Sequence, residues 1–493
     1  MPNATPRQPV LPHLAVAAVT IHVPADQPTI QAAINAAGNG DTVLVSNGIY
    51  KENINFNGKA ITVSSVNGPA VTTIDGGKLN TVVLFVTGET SASVLNGFTI
   101  TNGSAGFQTP NFGEGAGIAV ENASPTITNN IITANAGCNG IGIGIGFAAP
   151  LIQGNTISNN VQSGCSGGIG GGGISIRGES SGTKIIGNTI ANNSMPAGGG
   201  GIALFAAGGP LIQNNIFTGN NGSGQGGGIA MFNNASPQII DNAFIQNTAT
   251  QGGAIYWLIP VSAPGLLLLN NTMAGNSATQ GSAIFDGGFD TNMTIQNNIL
   301  VGTTGTNAIF CQQFNGTTIP AALANNDVFA TGATAIGGNC TYTTGTNGNI
   351  SLDPLLTDVS VSNLHLQPLS PAIDTGNNTA PVALPATDLD GNPRINNAVV
   401  DMGAFEFQGT TTTTFSATSV TFVQQLVGTK SAAQPITITN TGSTALQITP
   451  FTISGDFTEA DDCHTSSGIL PGKSCTISVS FAPTARGTRT GQL

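Results

Sequence analysis

The 28-residue spacing of one asparagine decides what this chain can fold into. Aligning the step Ile/Leu-x-x-Asn places Asn130, Asn155, Asn188, Asn215, Asn242, Asn271, Asn298 and Asn326 in series, and its seven steps span 196 residues. A unit that short cannot bury its apolar face alone, so neighbouring units must stack into a solenoid. Within the unit Gly226 to Gly253 the apolar residues Ile229 and Met231 sit two apart, which is the period of a strand and not of a helix. Such a unit holds about three strands of roughly 5 residues and three turns.

Parallel stacking of these coils gathers Ile118, Ile143, Ile174, Ile202, Ile229, Ile255 and Ile284 into one core column. Asparagine at a recurring corner suits a left-handed turn, and stacked amides can bond along the column. The expected fold is all-β: a right-handed parallel β-helix over residues 22–407, about 13 coils and ~65 Å long at ~4.8 Å per coil.

With 7% charged residues and 68 glycines the composition alone suggests disorder, but 39% of residues are hydrophobic and they arrive periodically. Net charge −12 with only eleven basic residues excludes a phosphate-tracking surface, and so nucleic acid as a partner. No apolar run is long enough for a membrane-spanning helix. Residues 1–21 read either as a worn signal peptide, with Arg7 ahead of an apolar stretch and the small-residue site Ala15 to Ala17, or as a misassigned start. Cys138 and Cys165 follow equivalent asparagines in neighbouring coils, Cys311 and Cys340 are one coil apart, and Cys463 and Cys475 share the C-terminal segment. Without metal-type spacing, these three pairs read as disulfides of an exported protein, the alternative being buried thiols in a cytosolic one.

At the N-terminal end Ile30, Ala33, Ile34 and Ala37 line one face of a short helix, suited to cap the open end of a solenoid. The stretch TIQAAINAAGNGDTVLV (29–45) with NGIYKENI (47–54) resembles the cap and first coil of the pectin-lyase-like superfamily, and pectin methylesterases open in a similar way. Lys51 and Glu52 read there as turn residues. Further on, glycine-plus-isoleucine openings with Phe-x-x-Asn steps (Phe217 to Asn220, Phe244 to Asn247) resemble the repeats of chlamydial polymorphic outer-membrane proteins, which implies adhesion at a surface. The runs at Gly140 to Gly146 and Gly167 to Gly173 are expected to flatten one wall.

Residues 349–407 carry Asp353-Pro354, Ser370-Pro371-Ala372-Ile373-Asp374-Thr375-Gly376, Asp388-x-Asp390-Gly391 and Asp401-Met402-Gly403-Ala404-Phe405-Glu406. This resembles the choice-of-anchor Q domain and implies a secreted or surface protein whose solenoid ends in that segment. A threonine linker (408–414) leads to residues 415–493, where ITITNTGSTAL and FAPTARG resemble the immunoglobulin-like choice-of-anchor D domain. About 100 residues make such a sandwich, so this one is expected to be incomplete, lacking a last strand.

For function, the leading expectation is binding of a polysaccharide or cell-surface glycan, or adhesion. The rival is a lyase or hydrolase of pectin-like acidic glycans, since this fold often carries such enzymes. For catalysis the coils offer Arg177, Glu179 and Lys184, more simply a solvated turn. For binding, the outward residues beside the core column include Tyr256, Phe285 and Phe310, with Phe205 and Phe232 two positions on, an apolar track that sugar rings could lie on. The segment Leu258 to Gly265 folding over that wall is the competing expectation. Asp388, Asp390 and Asn392 at alternate positions, with Asp374, Asp401 and Glu406, suit Ca²⁺, the one cofactor the sequence suggests, unless Arg394 pairs with these acids in a closing segment. Oligomeric state is not legible.

Overall fold

The computed structural model describes residues 17–105, 115–163, 169–258, 265–288, 293–313, 322–340, 343–465 and 468–493. Three parallel sheets of 12, 11 and 11 strands run along the solenoid. One coil passes through a first wall (Thr126–Thr128), a tight corner, a second wall (Ile131–Thr133) and a second corner. It then crosses to a third wall (Ile143–Gly146). The core column is in register as expected, each isoleucine from Ile118 to Ile284 standing opposite the next. All seven are fully buried.

The asparagine series also forms one column, but for a different reason than a left-handed turn. Positive φ falls on the residue before each one: Asn129, Gly154, Gly187, Asn214, Asp241, Asn270, Asn297 and Asn325. That residue makes the corner, which frees the asparagine behind it to point inward. Each inward amide donates through Nδ2 to Oδ1 of the next, as Asn188 does to Asn215 and Asn215 to Asn242, both at 3.0 Å. The second corner holds an equal device that the 28-residue series did not single out. Asn135, Asn160, Asn193, Asn220, Asn247 and Asn276 bond in the same way, with Nδ2 to Oδ1 distances of 2.9–3.0 Å.

The cap helix spans Ile30–Ala36 and buries Ile30, Ala33 and Ile34. The first coil holds both its ends. Glu52 accepts from the amides of Ile30 and Gln31, each at 2.9 Å, while the Lys59 ammonium donates to the carbonyls of Ile34, Asn35 and Ala37. Acid at the N-terminus and base at the C-terminus both oppose the helix dipole. Glu52 is therefore a cap rather than a simple turn residue.

The glycine runs do more than flatten a wall. Gly226 and Gly252 have φ of +56° and +67°, and a Cβ there would lie 2.3 and 2.2 Å from the carbonyl oxygens of Ile229 and Ile255. The chain doubles back against the start of the third wall, and no side chain fits that approach.

Fewer than 13 coils form, because residues 352–407 leave the stack instead of continuing or closing it. The last solenoid strands are Ala322–Ala324, Asp327–Ala330 and Ile336–Gly338. The chain then folds back along the outside of the preceding coils. Leu364, Ala404 and Phe405 pack on Ala243, Ile245 and Ala274 of the second wall. Leu366, Ala372 and Met402 pack on Ile299, and Ala380, Val382 and Leu384 on Ile240, Leu267 and Leu269 of the first wall.

Disulfides join Cys311 to Cys340 and Cys463 to Cys475, as the spacing suggested. The expected Cys138–Cys165 pair involves Cys165, which lies outside the described residues. In the C-terminal part, Thr413–Phe415, Gln434–Asn440, Ser474–Phe481 and Phe457–Asp461 form a four-stranded antiparallel sheet, an incomplete sandwich. The threonine run is no free tether, since Thr413 pairs with Asn440. Among the described residues no helix is long and apolar enough to cross a membrane.

Candidate functional site

The docked segment reads the corner column residue by residue. Arg394, 1% exposed, sits 3.6 Å from the Asp241 carboxylate and, with the Asn270 amide turned to face it, donates to the Asn270 oxygen at 2.7 and 3.1 Å. Asn297 accepts from the Asn377 amide at 2.9 Å and donates to its carbonyl at 3.0 Å. Asn325 donates to the Thr375 carbonyl. Four successive corner residues are thus held, and the docking site is built from the same left-handed positions that turn the coils.

Burial raises Asp241 to about 7 against the pull of Arg394, with Asp388 and Glu406 adding to the rise. Asp401 rises to about 8, through burial first and the charge of Glu406 second. Both acids hold a proton in the folded chain over a range where the unfolded chain, near 3.8, has released it. Stability from this cluster therefore falls as pH rises from about 4 to 8. Thermal melts between about pH 5 and pH 8 are expected to show that decline, and Asp241→Asn, which copies Asn270 in the next coil, is expected to flatten it. An unchanged slope in that variant would contradict the assignment.

One coil before the docked region the second wall lies open. Its outward residues carry Thr99 and Thr101, then Thr133, Thr156 and Ser158, Thr189, and Thr218, all partly exposed. Strand register sets them in two columns at about 4.8 Å per step, one interrupted by Ile131 and ended by Ile216, the other interrupted by Ala191. No charged side chain stands on the strands from Thr99 to Thr218. The strip ends at a cleft of about 360 Å³ between the docked loop Thr387 to Gly391 and the coil residues Gly187 to Thr189, Asn214 and Ile216. The buried Asn214 Oδ1 has no hydrogen-bond partner. At the rim His365 Nε2 lies 2.5 Å from Asp390 Oδ2, and His365 Nδ1 lies 2.6 Å from Asn363 Oδ1. A larger cavity of about 1970 Å³ lies against the C-terminal sheet, lined by Phe422, Phe457 and Ile477.

The hydroxyl strip was present in the sequence as the Thr-Ile-Thr, Ile-Ile-Thr, Thr-Ile-Ser and Thr-Ile-Ala triplets following each corner, which the aromatic column overshadowed. That column does stack. Phe205 and Phe232 are 4.8 Å apart and stack nearly parallel, and Tyr256, Phe285 and Phe310 continue the series. It is not the exposed track expected, however. Tyr256 and Phe285 are 4% and 2% exposed, and Phe205, Phe232 and Phe310 are only partly accessible. Rings stacked face on face give their faces to each other, and the Arg177 guanidinium lies over the Phe205 ring at 4.7 Å. Most of the segment expected to fold over this wall, residues 259–264, lies outside the described residues.

Arg177, Glu179 and Lys184 are not brought together. Arg177 ends a third-wall strand and donates to the Ile169 carbonyl, Glu179 accepts from Ser181 in the turn, and Lys184 begins a first-wall strand. Nor do Asp388, Asp390 and Asn392 turn oxygens toward one point. Asp388 Oδ1 accepts from the amides of Asp390 and Asn392, its Oδ2 from Glu406, and Asp390 faces His365. Both Asp388 oxygens serve the turn. Arg394 does pair with the acids, at 3.8 Å from Glu406, as the alternative held.

A family model described as a right handed beta helix region matches residues 165–351, and one described as a protein of unknown function (DUF1565) matches residues 54–221. No curated protein matches the sequence.

Proposed function

We propose that this chain, a right-handed parallel β-helix of the pectin-lyase-like kind, is an extracellular glycan-binding protein that holds a polysaccharide along its second wall. The observation that supports this most is the uncharged hydroxyl strip running into a polar cleft. Sugars are recognised by arrays of hydroxyl, amide and carboxylate groups in a concave site. The strip offers the first, Asn214 the second and Asp390 the third. Disulfides and the family match agree with a place outside the cell. Adhesion is the same activity directed at a cell-surface glycan.

The rival reading, a lyase or hydrolase, finds its best support in His365 beside Asp390. Both ring nitrogens face oxygens, so the ring would have to release one before moving a proton. Affinity electrophoresis in neutral and acidic polysaccharides, with product release followed in parallel, separates the two. The double variant Thr156→Val and Thr189→Val keeps strand shape and removes two hydroxyls, each contributing about 1 kcal/mol. It is expected to weaken binding roughly thirtyfold, whereas Phe232→Ala on the third wall should change it little. Turnover of an acidic glycan would overturn the proposal.

A further inference from the structure

We infer that the cleft receives the end of an uncharged polysaccharide chain and not a stretch from its middle, an inference that rests on the glycan reading above. The geometry is that of a blind strip. A chain lying across the second wall meets exposed strands as far as Ile216–Thr218. The next strands are covered: Ala243, Ile245 and Ala274 lie buried beneath Leu364, Ala404 and Phe405. The loop carrying Asp388 to Gly391 stands at that boundary and forms one side of the cleft. A linear polymer running along the solenoid axis must therefore stop there or leave the surface.

Two acceptors line the stop. Asn214 Oδ1 has no partner and is closed off from solvent, so a sugar hydroxyl reaches it only by displacing its cover. Asp390 faces His365 through Oδ2, and among the described residues no hydrogen bond is made to its other oxygen. A terminal sugar exposes one hydroxyl more than an internal sugar, because its last position is not consumed by a glycosidic bond. That extra donor matches an unfilled acceptor. Beside Asn214 on the coil side of the cleft Gly187, with φ +63°, leaves open space where a Cβ would stand.

Charge selects the class of polymer. Among the described residues no cation stands on the strands of the strip, and the carboxylate of Asp390 at its end would repel a uronate. Neutral chains fit, and acidic ones such as polygalacturonate do not.

Binding stoichiometry tests this whichever neutral sugar is the natural one. Length-fractionated β-glucan, xylan and mannan, with polygalacturonate as the acidic comparison, are titrated calorimetrically into the full chain. One protein bound per chain, independent of length, is expected for a neutral polymer. Asp390→Asn and Asn214→Gly, the latter copying Gly187 at the same corner, should each weaken binding about tenfold while the protease-resistance pattern stays that of the parent. A number of proteins per chain that grows with length would overturn chain-end capture and leave the glycan reading standing, as would preference for polygalacturonate over the neutral chains. Failure of every glycan to bind would overturn both.

Discussion

Asn215→Ala is expected to destabilise the solenoid by about 3–5 kcal/mol, far more than its small change in volume suggests. The side chain donates to the carbonyls of Ile185 and Gln213 and to Asn242 Oδ1, and it accepts from both the backbone and the side-chain nitrogen of Asn188. It is fully buried, so water cannot replace those partners. Each orphaned buried group costs roughly 1–3 kcal/mol, and the Asn188 amide and the Ile185 carbonyl both lose the partner named. The lesion also falls in mid-stack, where a coil is stabilised mainly by its two neighbours. Denaturant unfolding measures the loss, with Thr156→Val on the open wall as a near-neutral comparison. A change within about 0.5 kcal/mol, the usual range for a surface site, would show that the ladder does not carry the stack.

The second large effect is expected at Arg394. Its guanidinium donates to the carbonyls of Asp401 and Gly403 at 3.0 and 2.7 Å and faces Asp241, Glu406 and Asn270. Replacement by methionine keeps the apolar stem and leaves the acids without a cation. Breaking a buried charged cluster from one side costs about 3–5 kcal/mol. The loss should be local, because the coils beneath keep both ladders. Arg394→Met is therefore expected to release residues 352–407 from the flank, with early protease cleavage there and slower cleavage of the coils. Uniform resistance equal to that of the parent chain would mean that the apolar contacts alone hold the segment.

These two sites differ in how far the sequence disclosed them. The ladder was legible from its 28-residue period, yet the turn was assigned to the wrong partner. Asparagine doublets such as Asn214-Asn215 and Asn270-Asn271 hide which member is left-handed. Gly154-Asn155 and Gly187-Asn188 resolve it, since glycine marks the first position as the corner. The docked segment is another matter. Nothing periodic in residues 352–407 says which surface they will cover, so they were expected to end the solenoid and instead lie beside it. The cleft exists only because of that docking, and no local pattern encodes it. The aromatic column was read correctly as a column. Its exposure was not, because coil stacking brings successive rings within about 5 Å, where they pack against each other and hide their faces from solvent.

With the second wall as the glycan surface, hydroxyl-radical footprinting in the presence of a bound neutral polysaccharide probes that wall directly. Ile131 and Ile216 on the strip, and Leu389 on the loop at its end, are partly exposed and oxidisable, as are Phe205 and Phe232 on the third wall. Protection of Ile131, Ile216 and Leu389 with Phe205 and Phe232 unchanged is the predicted result. Protection of the two phenylalanines with the strip unaltered would contradict it and return the site to the aromatic wall.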